Sequence, residues 1–205
     1  MTDASPTLTD RYDRAASQWG DKMRVLGYYD AYLGFLSAPG LRSGPNLRVI
    51  DVGCGTGSFA SAHVAVNGAP ASLHLLDPSA RMLDAAARSV ARHGVEAVKV
   101  QGVLGADLPK GDEVLAAHVL EHCPDPLVGL QQLHDLLTES GRLRIVLSKP
   151  HWCNAIIWLQ WRHRTFNEND IADLFQAAGL RIEHSYAFPS GPPSRTSRGI
   201  VARRA

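Results

Sequence analysis

The chain has 205 residues, 45% of them hydrophobic, with 21 basic residues against 20 acidic and a formal net charge of +1. That length suits one domain with a sizeable core, and the even charge lacks the strong basic bias of a nucleic-acid binder. No apolar run reaches bilayer length, so no stable membrane insertion is expected. Cys54, Cys123 and Cys153 form no CxxC pair and no disulfide pattern, and Met1–Pro6 has no secretory character. The expected setting is cytoplasmic, with no nucleic-acid partner.

Residues 1–8 are polar and read as frayed. From Thr9 to about Leu36 the pattern predicts helix, in one piece or in two broken near Gly20. Tyr12, Ala16 and Trp19 fall at helical spacing, as do Val25, Tyr28, Tyr29 and Tyr32. Residues 1–45 thus form a helical cap ahead of the main domain at 46–205, and their aromatic stripe reads as core packing before ligand contact. A loop, Pro39–Pro45, separates the two.

Val49-Ile50-Asp51-Val52-Gly53-Cys54-Gly55-Thr56-Gly57-Ser58 is the stretch that organises the rest. An apolar run ending in an acid, then glycines at alternate positions, predicts a buried strand, a tight turn and a helix start. Glycine there permits positive φ and close approach of a ligand to the backbone, and the helix N-terminus offers free N–H groups. Gly55-x-Gly57-x-x-Ala60, with Asp77 downstream, also fits a dinucleotide fingerprint. Ser72–Asp77 reads as strand 2, buried on both faces, with Asp77 placed to accept from ribose hydroxyls. The competing role is an N-cap for the next helix, which Asp77 or Ser79 could supply. That helix is predicted over Ser79–His93, with Met82, Leu83, Ala86 and Val90 inward, and strand 3 over Val95–Gln101.

Strand 4, Glu113–Ala117, runs into His118-Val119-Leu120-Glu121-His122-Cys123-Pro124-Asp125-Pro126. The acid-x-Gly-x-Gly-x-Gly string at Asp51–Gly57 resembles motif I of the class I S-adenosylmethionine-dependent methyltransferases. The stretch after strand 4 resembles the HVLEHVPDP sequence of the small-molecule subgroup that includes the ubiquinone and menaquinone methyltransferases. A dehydrogenase has no reason to carry the second stretch. The resemblance implies a Rossmann-like α/β fold: a seven-stranded, mostly parallel sheet, helices on both faces and an antiparallel last strand. It implies S-adenosyl-L-methionine as cofactor, with Asp51 toward the methionine ammonium and Gly53, Cys54, Gly55 and Gly57 against methionine and ribose. Asp77 would hold the ribose hydroxyls, Pro78, Met82 and His118 are further cofactor-binding candidates, and His118 to His122 would lie beside the reactive methyl. Family members often place an Asp after strand 3 for the adenine amino group. Here Val103 and Leu104 stand near that position, so their backbone, or the later Asp107, is the expected adenine contact. Tyr12 and Trp19 are weaker candidates over the cofactor mouth.

His118 and His122 are four apart, but the chain does not read HExxH and no metal is expected. Either one is a general base or both are packed structurally; His122 ranks first, then His118 and His151. Asp125 and Pro126 start a helix whose apolar positions are Leu127, Leu130, Leu133 and Leu137. Strand 5 is Arg142–Ser148. Residues 149–166 hold Trp152, Trp158 and Trp161 and, by resemblance, build an acceptor pocket; packing, a homodimer contact or an interfacial helix are the alternatives. Asn167 caps a helix over Glu168–Ala178, and strands over Arg181–Phe188 and Arg198–Arg203 finish the sheet, joined by a loop at 189–193. The expected function is methyl transfer to a small hydrophobic or aromatic acceptor, with O-methylation favoured. The rivals are a protein or RNA methyltransferase, which often carries Asn/Asp-Pro-Pro-Tyr after strand 4, and a non-catalytic S-adenosylmethionine-binding protein.

Overall fold

The computed structural model describes residues 23–151 and 164–205. Its sheet has seven strands: β1 (Arg48–Val52), β2 (Ser72–Asp77), β3 (Val98–Gln101), β4 (Gly111–Ala117), β5 (Leu137–Ser148), β6 (Leu180–Tyr186) and β7 (Ser197–Arg204). Their order is β3-β2-β1-β4-β5-β7-β6. Neighbours from β3 to β5 are parallel, and β7, the last strand, runs antiparallel to both β5 and β6. The strand order reverses between β1 and β4, which opens a crevice at their carboxyl ends where ligands bind in doubly wound sheets.

Among the described residues six helices cover the sheet: α1 (Tyr28–Ser37), α2 (Ser58–Asn67), α3 (Ala80–Ala91), α4 (Pro126–Asp135), α5 (Glu168–Ala177) and the short α6 (Gly191–Thr196). Side chains alternate across each strand. Leu115, Val146 and Val201 therefore join α1, α2 and α3 through Phe35, Phe59 and Leu83. Val114, Ile145 and Ile200 join α4 and α5 through Leu133 and Phe175. No helix among the described residues is long and apolar enough to cross a membrane.

Several boundaries depart from the sequence reading. The described N-terminal helix restarts at Gly27, which holds φ 82°, whereas the predicted break at Gly20 lies outside the described residues. Val25 points outward, 88% exposed, and so is no part of the core. β3 is shorter than predicted and largely exposed, as befits a sheet edge. Leu137 pairs with Gly111 as the first residue of β5 instead of closing the helix before it. The proline-rich segment at 189–193 contains the start of α6, because prolines fit the first turn of a helix, where their missing N–H costs nothing.

A buried charge cluster ties the loop after α1 to the sheet. Arg144 of β5 is fully buried and donates through Nε to the carboxylate of Glu113. Its Nη2 donates to the carbonyl of Leu41 and to Ser43 Oγ, both at 2.6 Å. The Ser43 hydroxyl donates in turn to Glu113 Oε1 at 2.6 Å. His63 of α2 is buried beside this cluster, and burial, against the smaller pull of Glu113, pushes its imidazole down to about 4. The folded state therefore binds fewer protons at this site than the unfolded chain between about pH 6.5 and 4. Stability from this residue is complete above that window and falls as the pH drops through it. We expect the wild type to lose on the order of 2 kcal/mol between pH 7 and pH 5 relative to His63→Leu. Urea unfolding of both proteins at the two pH values checks this, and parallel losses would refute it.

Candidate active site

The turn after β1 is built on three left-handed glycines, Gly53, Gly55 and Gly57, at φ 60°, 52° and 78°. Each has a different reason to lack a side chain. A Cβ on Gly53 would stand 2.7 Å from Val119 Cγ2, and one on Gly57 would stand 2.7 Å from the Ala86 Cα. Gly57 thus lets α2 start against α3, and it does not line the cavity described below. At Gly55 a Cβ would meet nothing within 4 Å, so its surface is open to a ligand.

Two carboxylates flank this turn. Asp51 is buried at the end of β1, and its Oδ2 accepts from the Ala60 N–H at 3.2 Å. Burial raises its carboxyl to about 8, with the Ala60 hydrogen bond working the other way. Asp77 Oδ2 accepts from the Gly55 N–H, and its Oδ1 from the Ser79 N–H, both at 2.9 Å. These bonds brace the glycine turn against the end of β2. Ser79, not Asp77, caps α3, accepting from the Met82 N–H at 3.1 Å. A carboxylate oxygen can accept more than one hydrogen bond, a hydroxyl's among them.

At the end of β4, His118 adopts φ 58°, an uncommon left-handed conformation for a residue with a side chain. Its Nδ1 lies 3.2 Å from Glu121 Oε1 and 3.1 Å from Ser148 Oγ. The same Glu121 oxygen accepts from the Ser148 N–H at 2.7 Å. The His118 ring meets Tyr28 edge-on at 5.6 Å, and the Tyr28 hydroxyl lies 3.0 Å from Thr196 Oγ1. Glu121 was not singled out by the sequence; its one signal was its place three residues after His118. His122 ends a single 3-10 turn, Leu120–His122. Burial lowers its pKa below the ordinary histidine value, opposed by the nearby Glu121.

Many of these groups line one cavity of about 740 Å³, inside the range of roughly 300–1,000 Å³ usual for small-molecule sites. Asp51, Gly53, Cys54, Gly55 and Asp77 line it, as do Pro78, Met82, Val103 and Leu104. His118, Val119 and His122 form another part of its wall, and Met23, Leu26, Tyr28 and Tyr32 of the N-terminal segment reach it as well. His151 does not line it, and neither does the exposed Asp107. Tyr12, Trp19, Trp152, Trp158 and Trp161 lie outside the described residues. The residues present fit S-adenosylmethionine: a bare Gly55 backbone between two carboxylates, one deeply buried for a cationic ammonium and one with acceptor capacity for hydroxyls.

Residues 50–143 match the family model described as a methyltransferase domain. The structure also superimposes on the magnesium protoporphyrin IX methyltransferase of Synechocystis PCC 6803, crystallised with bound SAH. The TM-score is 0.68 at 20% identity, covering 100% of this chain and 90% of that one. Residues 50–143, just under half of the chain, thus match a methyltransferase domain, in a fold shared with solved methyltransferases. The cofactor of this methyltransferase is S-adenosylmethionine. A second structural match is the putative methyltransferase in complex with the Haloferax volcanii Trm112 activator, with TM-score 0.71 at 17% identity, covering 94% of this chain and 97% of that one. By sequence, 101 residues are 38% identical to the ribosomal protein L11 methyltransferase of Ectopseudomonas mendocina. That stretch is 48% of this methyltransferase and 32% of the curated relative, so the chain spans about a third of the relative's length.

Proposed function

We propose that this methyltransferase acts on a small, hydrophobic or aromatic acceptor, with a hydroxyl oxygen as the methylated atom. The observation that carries the reading is the single cavity, bounded by Asp51, Gly55 and Asp77 as well as by His118 and His122, and reached by Leu26, Tyr28 and Tyr32. Apolar and aromatic walls suit a flat uncharged molecule. Bound S-adenosylmethionine supplies a sulfonium methyl with a good leaving group, so the protein's work is alignment and exclusion of water.

In this reading Asp51 holds the methionine ammonium, Asp77 the ribose hydroxyls, and Gly55 the close backbone contact. His118, fixed through Nδ1 by Glu121 and Ser148, shapes the wall beside the methyl. His122, kept neutral at pH 7 by burial, takes the hydroxyl proton as transfer proceeds. Residues 1–45 act as a cap over the cofactor, and residues 149–166 select the acceptor. The test is a transfer assay with labelled S-adenosylmethionine against phenolic, aliphatic hydroxyl and amine acceptors, with ribosomal protein and RNA in parallel. Turnover of the macromolecules alone would favour the reading suggested by the relative of Ectopseudomonas mendocina.

Asp51 gives a further expectation. Its carboxyl, raised to about 8, is largely protonated in the empty site at pH 7, and an arriving ammonium favours the ionised form. Cofactor binding should therefore release close to one proton at pH 7, and affinity should rise with pH up to about 8. Calorimetry in buffers of differing ionisation enthalpy measures this. Identical heats in all buffers would remove the ammonium role from Asp51.

A further inference from the structure

The loop after β3 brings Gly102, Val103 and Leu104 to the cavity but no carboxylate, since Asp107 stays exposed outside it. Across from this loop stands Gln132, in the last turns of α4, which also lines the cavity. Its Nε2 lies 2.8 Å from where a Cβ on Gly105 would be. Gly105 holds φ 101°, a conformation that side chains rarely adopt. A residue with no side chain, in a backbone shape that favours glycine, is what lets the Gln132 amide pack against the loop. Among the described residues that amide takes part in no hydrogen bond, so both its oxygen and its NH₂ are available. Asp125, the other polar side chain that α4 brings to the cavity, is engaged as N-cap with the Leu127 and Val128 N–H groups.

We propose that Gln132 reads the 6-amino edge of the cofactor's adenine, standing where the loop after β3 supplies no acid. The proposal rests on the reading that S-adenosylmethionine occupies this cavity. The adenine edge presents an amino donor beside a ring-nitrogen acceptor, and a carboxamide matches both at once. The Gln132 oxygen accepts from the amino group and its NH₂ donates to the ring nitrogen. A carboxylate in this place could only accept. Gly105 leaves room for the amide, because a Cβ there would stand 2.8 Å from its Nε2.

The experiment is calorimetric titration of the full chain with S-adenosylhomocysteine and with its 6-oxo analogue, which carries hypoxanthine in place of adenine. Wild type, Gln132→Leu and Gln132→Glu are compared, each with a melting curve in the absence of ligand. Gln132→Leu should bind S-adenosylhomocysteine about tenfold more weakly than wild type, with little change in melting temperature, since the side chain is only partly buried. Gln132→Glu should keep S-adenosylhomocysteine, because its carboxylate still accepts from the amino group. It should discriminate against the 6-oxo analogue more strongly than wild type does. Equal affinity of Gln132→Leu and wild type for S-adenosylhomocysteine overturns the assignment of Gln132. Failure of the wild type to bind S-adenosylhomocysteine at all overturns the underlying cofactor reading instead.

Discussion

Replacing His122 by alanine is expected to lower kcat by about 10²–10⁴-fold, the usual cost of a lost general base, for a hydroxyl acceptor. Cofactor affinity should hardly change, because Asp51, Gly55 and Asp77 sit at the end of β1 and β2 while His122 sits in the turn after β4. The wild-type rate should be flat above neutrality and fall as the pH drops below the ordinary histidine value. Burial holds the pKa of His122 below that value, so the active neutral form persists somewhat into the acid range. The variant should lose this acid limb. His118→Gln provides the contrast: its damage should appear as a loss of stability, since Nδ1 is tied to Glu121 and Ser148 and the ring packs on Tyr28. A fully active His122→Ala would leave that histidine structural.

The second large effect is on folding. Arg144→Ala should cost about 3–5 kcal/mol, because it strands the buried Glu113 carboxylate without its cation. It also removes the guanidinium from the Leu41 carbonyl and from Ser43, which anchor the chain between α1 and β1. Against a total of roughly 5–15 kcal/mol that is a large fraction, and the melting temperature should fall by roughly 6–20 °C. The double replacement Arg144→Met with Glu113→Leu should recover much of the loss, since it removes both charges. If the double variant is as unstable as the single one, packing and not charge is what Arg144 supplies.

The parts of the fold set by short-range pattern were legible. Apolar runs ending in Asp51 and Asp77 located β1 and β2, Asp125-Pro126 and Asn167 located the starts of α4 and α5, and the finish in an antiparallel strand followed from the resemblance. What escaped depends on which residues meet across the sequence. Leu137 satisfies the apolar pattern of α4 and of β5 alike, and only its pairing with Gly111 decides between them. Arg144 alternates with Arg142 in a strand that looks half exposed; its burial follows from the β4–β5 register and from the loop at Leu41 and Ser43. Gly55 and Gly57 look equivalent in the string, yet one faces open space and the other abuts Ala86, 29 positions away by number. The bonds of Asp77 to Gly55 and of Glu121 to Ser148 likewise span distances that no local pattern encodes. Gln132 carries no motif at all; it became visible only through its approach to Gly105.

The central claim is that the crevice between β1 and β4 is a site for S-adenosylmethionine. Calorimetric titration of the full chain with S-adenosylhomocysteine, S-adenosylmethionine and NAD, each alone, tests it most directly. The account predicts saturable one-to-one binding of both sulfur ligands and no response to NAD. Saturable binding of NAD with no heat from either sulfur ligand would contradict it.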